Sequence, residues 1–221
     1  MLIPRVFHQI WINNQNPDLP AEYAAYRDSW LRLHPGWGYK LWNLDNLDFE
    51  PQSKAQLASA TSYAQMADIL RYEILYRHGG VYLDTDFECR KSIEPILQGV
   101  SNFSCSEDGS SISIGILGAV PGSVYMKRCM DALPAKVGLT VPTLETGPGM
   151  FTKVLLGQGL SNDFTLFPSL WFYPYGWQEL DRAGESFPEA YAIHRWAHSW
   201  GDGERGLLLR MKRKLRALLS Q

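Results

Sequence analysis

Two aspartates one residue apart, Asp84 and Asp86, follow the apolar run Val81-Tyr82-Leu83. Carboxylates at the end of a buried strand are costly unless donors or a cation satisfy them. Two hard oxygen ligands close together suit Mg²⁺ or Mn²⁺, with water and phosphate oxygens completing the shell. A solvated turn or helix cap is the competing reading, because Asp-x-Asp also arises by chance in chains of ordinary composition. Upstream, Asp68 and Arg71 stand three residues apart and so share a helix face. Met66, Ile69, Leu70, Ile74 and Leu75 surround them and leave little of the circumference polar, as in a buried helix. The pair is either an ion pair that orders the helix or a ligand-binding pair. In the second case Asp68 accepts from a ribose hydroxyl, and the Arg71 fork donates to phosphate or sugar oxygens.

A scaffold must bring these groups together. Residues 5–12 read as a buried first strand. Residues 20–34 read as a helix with Tyr23, Tyr26, Trp30 and Leu33 at helical spacing, stopping at Pro35-Gly36. Residues 39–42 read as a second strand. The strongest helical pattern covers residues 62–78 and is closed by Gly79-Gly80, where a glycine takes the left-handed cap. A short strand over 81–84 runs from there into Thr85-Asp86. Beyond it the pattern predicts a short helix at 93–97 and a strand at 111–120, entered from Glu107-Asp108-Gly109. Helices at 123–132 and 149–156, late strands at 165–172 and 190–196, and an amphipathic helix at 207–219 complete the chain. Strands alternating with helices predict an α/β fold with a sheet largely parallel at its start. Such sheets bind ligands beyond the carboxyl ends of their strands, where the Asp84-Thr85-Asp86 turn lies.

The segment Ala67-Asp68-Ile69-Leu70-Arg71-Tyr72, followed by Gly79-Gly80-Val81-Tyr82-Leu83-Asp84-Thr85-Asp86, resembles the DXD sugar-binding region of glycosyltransferase family thirty-two. That family includes yeast initiating α-mannosyltransferases and bacterial capsule and lipopolysaccharide enzymes, and it is similar to the catalytic domain of the large clostridial glucosylating toxins. Further along, Ile3-Pro4-Arg5-Val6-Phe7-His8-Gln9-Ile10-Trp11 resembles the family's opening strand, and Trp42-Asn43-Leu44-Asp45 loosely resembles its second-strand end. Thr146-Gly147-Pro148-Gly149 resembles a turn near the sugar, and the stretch from Ala192 to Trp200 resembles the closing motif.

The resemblance implies a GT-A fold, a Rossmann-like mixed sheet flanked by helices. It implies retaining, metal-dependent transfer of a hexose from a nucleotide-sugar, a UDP-sugar before GDP-mannose, to a glycan or lipid-linked saccharide. Asp84, Asp86 and a third ligand from the closing motif would hold Mn²⁺ or Mg²⁺; His194 is preferred there to His198. Catalytic roles fall to Asp84, Asp86 and Arg71, and donor contacts to Trp11, Ile10, Asp68, Arg71, Tyr82, Asp45, Gly147 and Trp196. Trp11 would stack on the base, its alternative being a core tryptophan. The resemblance thins between residues 88 and 144, where acceptor-binding elements are expected.

Composition narrows the field. A chain of 221 residues, 45% hydrophobic and 20% charged, fits one GT-A domain over 1–204 followed by a basic amphipathic helix over 205–221. Arg210, Lys212, Arg213, Lys214 and Arg216 are basic with no acidic neighbour; the rest of the chain holds 16 basic against 23 acidic residues. Such a tail suits either docking on its own domain or an anionic membrane surface. The net charge of −2 argues against nucleic acid as the main partner. Eight Trp and eleven Tyr suit flat amphipathic ligands such as sugars and bases. Three cysteines, odd in number and without metal-site spacing, fit a reducing compartment. With no signal-peptide pattern and no long apolar run, the expectation is a cytoplasmic protein, either soluble or peripheral on the inner face of the membrane. Two other classes remain open: a glycoside hydrolase, with two carboxyl groups flanking a sugar bond, and a non-catalytic carbohydrate-binding module.

Overall fold

A computed structural model describes residues 2–197 apart from 14, 15, 108, 110, 158 and 160. The elements run β1 (Val6–Ile10), α1 (Ala21–Leu33), β2 (Gly38–Trp42), α2 (Lys54–Ser59), α3 (Tyr63–His78), β3 (Gly80–Leu83), β4 (Phe87–Cys89) and β5 (Asn102–Cys105), then β6 (Ile116–Ala119), α4 (Val124–Ala132), α5 (Pro142–Glu145), α6 (Pro148–Gly157), β7 (Phe164–Phe167) and β8 (Ala192–His194). His198 and the expected 207–219 helix lie outside the described residues. No described helix is long and apolar enough to cross a membrane.

Six strands form the central sheet in the order β2-β1-β3-β6-β5-β7. The first three are mutually parallel, β6 runs antiparallel to both β3 and β5, and β7 is parallel to β5. The fold is therefore the expected mixed α/β sheet, parallel at its start. Strand side chains alternate between two apolar clusters, as the pleat requires. Tyr82 and Leu117 join residues of α3, α4 and α6 on one face. Val81, Leu83 and Ile116 join Phe7 and Trp30 on the other.

Helix α3 forms because its start, body and end agree. The Ser62 hydroxyl accepts from the Gln65 N–H at 3.1 Å, a side-chain cap. Ten of its sixteen residues are buried, so it runs through the core rather than over it. Gly79, at φ +62°, ends it, and Gly80, at φ +91°, turns the chain into β3. A Cβ on Gly79 would stand 2.6 Å from Pro121, and one on Gly80 2.7 Å from Val6. Both positions need glycine for backbone angle and for space.

Several expected elements differ. The strand over 111–120 shrinks to Ile116–Ala119; residues 113–115 run on past the end of β3, where the Gly115 carbonyl accepts from the Asp84 N–H at 2.8 Å. Ile112 and Ile114 are nonetheless buried, so the alternation that reads as a strand is real but belongs to a loop. The strand over 165–172 stops at Phe167, where Pro168 has no N–H to continue the ladder. The strand over 190–196 is Ala192–His194 and pairs with β4 in a separate two-stranded sheet, not in the main one. Helix α2 has no sequence signal of its own; buried Glu73 of α3 caps it, accepting from the N–H groups of Gln52 and Ser53.

Candidate active site

The carboxyl ends of neighbouring parallel strands β1 and β3 release Trp11 and Asp84 side by side. They open into a cleft of about 610 Å³, a size that suits a small organic ligand. Ile10, Trp11, Asp68, Arg71, Tyr82, Asp84, Asp86, Gly147, His194 and Trp196 all line it. Ten of the eleven expected site residues thus meet in one place. The exception is Asp45, which sits exposed on the turn after β2 and is not among the cleft's lining residues.

Asp84, Asp86 and His194 converge so that one ligand atom from each lies within 4.8 Å of the others. His194 Nε2 is 3.1 Å from Asp86 Oδ1 and 3.9 Å from Asp84 Oδ2. The small sheet makes this possible, since its register sets His194 opposite Phe87, the residue after Asp86. Arg195 fastens the two strands by an ion pair to Glu88. Asp86 Oδ2 accepts from the Ala197 N–H at 2.9 Å. Burial opposes ionisation of Asp86, but His194 and the Ala197 N–H together hold its carboxyl below the ordinary range. Burial likewise opposes a charged His194, yet Asp86 and then Asp84 raise its pKa above the ordinary value.

Behind this group lies a second polar layer. Arg71 Nη2 meets Asp68 Oδ1 at 2.9 Å and Nη1 meets Asp84 Oδ1 at 3.3 Å. Nη1 also donates to the Ile114 carbonyl at 2.7 Å, and the guanidinium lies over the Tyr82 ring at 4.4 Å. The Tyr82 hydroxyl donates to Asp84 Oδ1 at 2.7 Å, and the Thr146 hydroxyl to Asp68 Oδ2 at 2.9 Å. Burial pushes the Asp68 carboxyl up to about 6, against the pull of Arg71 and Thr146. Burial opposes the charge on Arg71, but Tyr82, Asp84 and Asp68 more than offset it and raise its pKa. The Asp68–Arg71 pair is therefore a buried ion pair, and Arg71 also braces Asp84 at the cleft.

At the other side Trp11 is half-buried, its indole N–H donating to the Asn16 carbonyl at 3.1 Å and its ring meeting Tyr23 edge-on. Trp196, at φ +53°, meets His194 edge-on at 4.3 Å and donates its indole N–H to the Tyr175 carbonyl. Tyr23, Glu107, Ile114, Gly115, Thr143 and Tyr173 also line the cleft, and sequence reasoning did not select them for the site. Tyr23 lies on α1, Thr143 on α5 and the others on connecting segments whose approach depends on topology, and no local motif marks them.

A mixed sheet with an acidic pair at the carboxyl end of β3, facing an aromatic cleft that holds one arginine, is the arrangement of a GT-A glycosyltransferase. The family described as glycosyltransferase sugar-binding region containing DXD motif matches residues 20–102 of the chain. A glycosyltransferase of Acanthamoeba polyphaga mimivirus is 27% identical over 90% of this chain and 84% of its own. Inositol phosphoceramide mannosyltransferase 3 of Schizosaccharomyces pombe is 30% identical over 60% of this chain; the match spans 37% of that relative, little more than a third of its length. Among solved structures, the PaToxG glycosyltransferase superposes with a TM-score of 0.56 at 17% identity, over 71% of this chain and 70% of its own, a likeness of fold.

Proposed function

We propose that this chain transfers a hexose from a nucleoside-diphosphate sugar to a glycan or lipid-linked acceptor, with retention at the anomeric carbon. The observation that carries the reading is the convergence of Asp84, Asp86 and His194 in one cleft with Arg71 and Trp11. Two carboxylates and an imidazole form a donor set that fits Mn²⁺ or Mg²⁺, and Asp84, Asp86 and His194 are the groups that would hold the cation. Such a cation supplies neutralisation of charge on the leaving diphosphate. Trp11 stacks on the base, and Ile10, Tyr82, Gly147 and Trp196 shape the donor pocket. Asp68 and Arg71 hold Asp84 in place, and Arg71 has one uncommitted N–H, on Nη2, to offer the leaving phosphate.

The chemistry needs no separate general base. The acceptor oxygen attacks the anomeric carbon on the face that the diphosphate leaves, the carbon–oxygen bond to phosphate breaks, and the leaving phosphate oxygen takes the acceptor's proton. A hydrolase or a carbohydrate-binding module is not supported beside a DXD glycosyltransferase family match. Residues 210–216 bring five basic side chains and no acidic one, a charge that suits attraction to an anionic membrane surface. Truncation after Gly206 then removes salt-sensitive vesicle binding; equal binding by the truncated chain would exclude that role.

The activity is tested with a panel of UDP-hexoses, UDP-N-acetylglucosamine and GDP-mannose, assayed for released diphosphate with and without Mn²⁺. One donor is expected to turn over, and only with the cation. Release of none, across saccharide and lipid-linked acceptors, would overturn the reading.

A further inference from the structure

The segment joining α4 to α6 carries a feature that transfer of the sugar does not use. Leu139, Val141 and Leu144 are 70%, 56% and 64% exposed, three large aliphatic side chains within six positions. On the same stretch Thr143, Gly147 and Pro148 line the cleft, so the apolar group borders its mouth. Single exposed leucines need no explanation, but a cluster does.

The segment is held in shape from within. The Glu145 carboxylate accepts from the N–H groups of Gly138, Leu139 and Thr140 and from the Gln65 amide of α3. The Val137 N–H donates to the Ser59 hydroxyl at 3.0 Å. Glu145 is the sole acidic residue between 132 and 162, and its carboxylate is spent on those contacts. Lys136 and Lys153, by contrast, are exposed. The surface thus offers aliphatic side chains and cations, with no free carboxylate among residues 132–157.

We propose that Leu139, Val141 and Leu144 form a ridge that enters the interfacial layer of an anionic bilayer, setting the cleft mouth against the headgroups. Exposed aliphatic side chains on a stretch whose charged residues, the committed Glu145 apart, are exposed lysines match such a surface in both hydrophobicity and charge. A protein partner is less well matched, because interface anchors are mostly Trp, Tyr and Arg, and residues 133–149 contain none of these. A second copy of the chain would need to bury about 1,200–2,000 Å² in all, more than three side chains on one segment supply. The contact itself does not depend on the proposed transfer reaction; only its consequence does, that the acceptor is reached at the membrane.

The test uses the full chain with vesicles of phosphatidylcholine and phosphatidylserine in about 0.5 M salt, where charge attraction from the basic tail is largely screened. Leu139→Cys, labelled with an environment-sensitive fluorophore, is expected to shift its emission to the blue on adding vesicles; Cys89, Cys105 and Cys129 are buried and do not compete for label. The double variant Leu139→Ser, Val141→Ser is expected to partition on the order of tenfold more weakly than wild type. Its diphosphate release with a water-soluble acceptor and no lipid should be unchanged, a readout that judges the transfer reaction separately. An unshifted label, equal partitioning, or a stable dimer that the double variant abolishes would overturn the ridge. Lost release by the double variant without lipid would overturn it too, by placing these side chains in the cleft.

Discussion

His194 stands opposite Phe87 in the β4–β8 ladder, and this register carries its Nε2 to 3.1 Å from Asp86 Oδ1. A two-stranded sheet of three residues a side thereby joins groups 108 positions apart in the chain. Glu88 and Arg195 tie the same strands one step further along, and the Arg195 N–H donates to the Asp86 carbonyl. The acidic pair and the histidine are therefore set by one local structure.

Replacing His194 with alanine should lower activity and Mn²⁺ affinity together, each by at least about tenfold, with partial recovery at high Mn²⁺. Steady-state rates across a Mn²⁺ titration check this. His198→Ala should change both far less. Wild-type Mn²⁺ dependence in the His194→Ala enzyme would assign the third ligand elsewhere.

Gly115 gives a second handle, on Asp84. A Cβ there would lie 2.6 Å from the Tyr173 hydroxyl and 2.7 Å from Asp84 Oδ2. Gly115→Ala should cost about 1–3 kcal/mol of stability, as overpacking does, and lower turnover far more than that loss of fold explains. Urea unfolding beside the rate assay separates the two effects. A fully active, equally stable variant would mean that Asp84 has room to move without consequence.

Much of this was legible in the sequence because the informative signals are local. Capping serine, buried body and paired glycines mark α3, and Asp84 and Asp86 follow within a few residues. His194 was also legible as a candidate, yet the sheet that delivers it was not, since β4 is three residues long and has no periodicity to read. Asp45 follows a strand end as Trp11 does, but β2 lies at the sheet edge and Asp45 is not among the residues that line the cleft. Gly115 and Tyr173 carry no signal, as their approach to Asp84 exists only once residues 113–115 lie beside the end of β3.

Trp11 lies where β1 releases the chain, half-buried, with its indole N–H already satisfied by Asn16. Its ring is thus left to pack rather than to donate. Trp11→Ala should weaken donor binding by roughly 1–3 kcal/mol, the scale of base–aromatic stacking. Titration of tryptophan fluorescence with a nucleoside diphosphate and Mn²⁺ provides the affinity. Unchanged affinity in a folded variant would return Trp11 to a packing role.

The most direct test of a cation-dependent nucleotide site is calorimetric titration of UDP and of GDP into the protein, with Mn²⁺ and with a chelator. At least one diphosphate should bind with Mn²⁺ and lose at least about tenfold in affinity with the chelator, and Asp84→Asn, Asp86→Asn should abolish the Mn²⁺-dependent part. Equal binding in chelator, or full Mn²⁺-dependent binding by the double variant, would contradict the assignment of Asp84, Asp86 and His194 to the site.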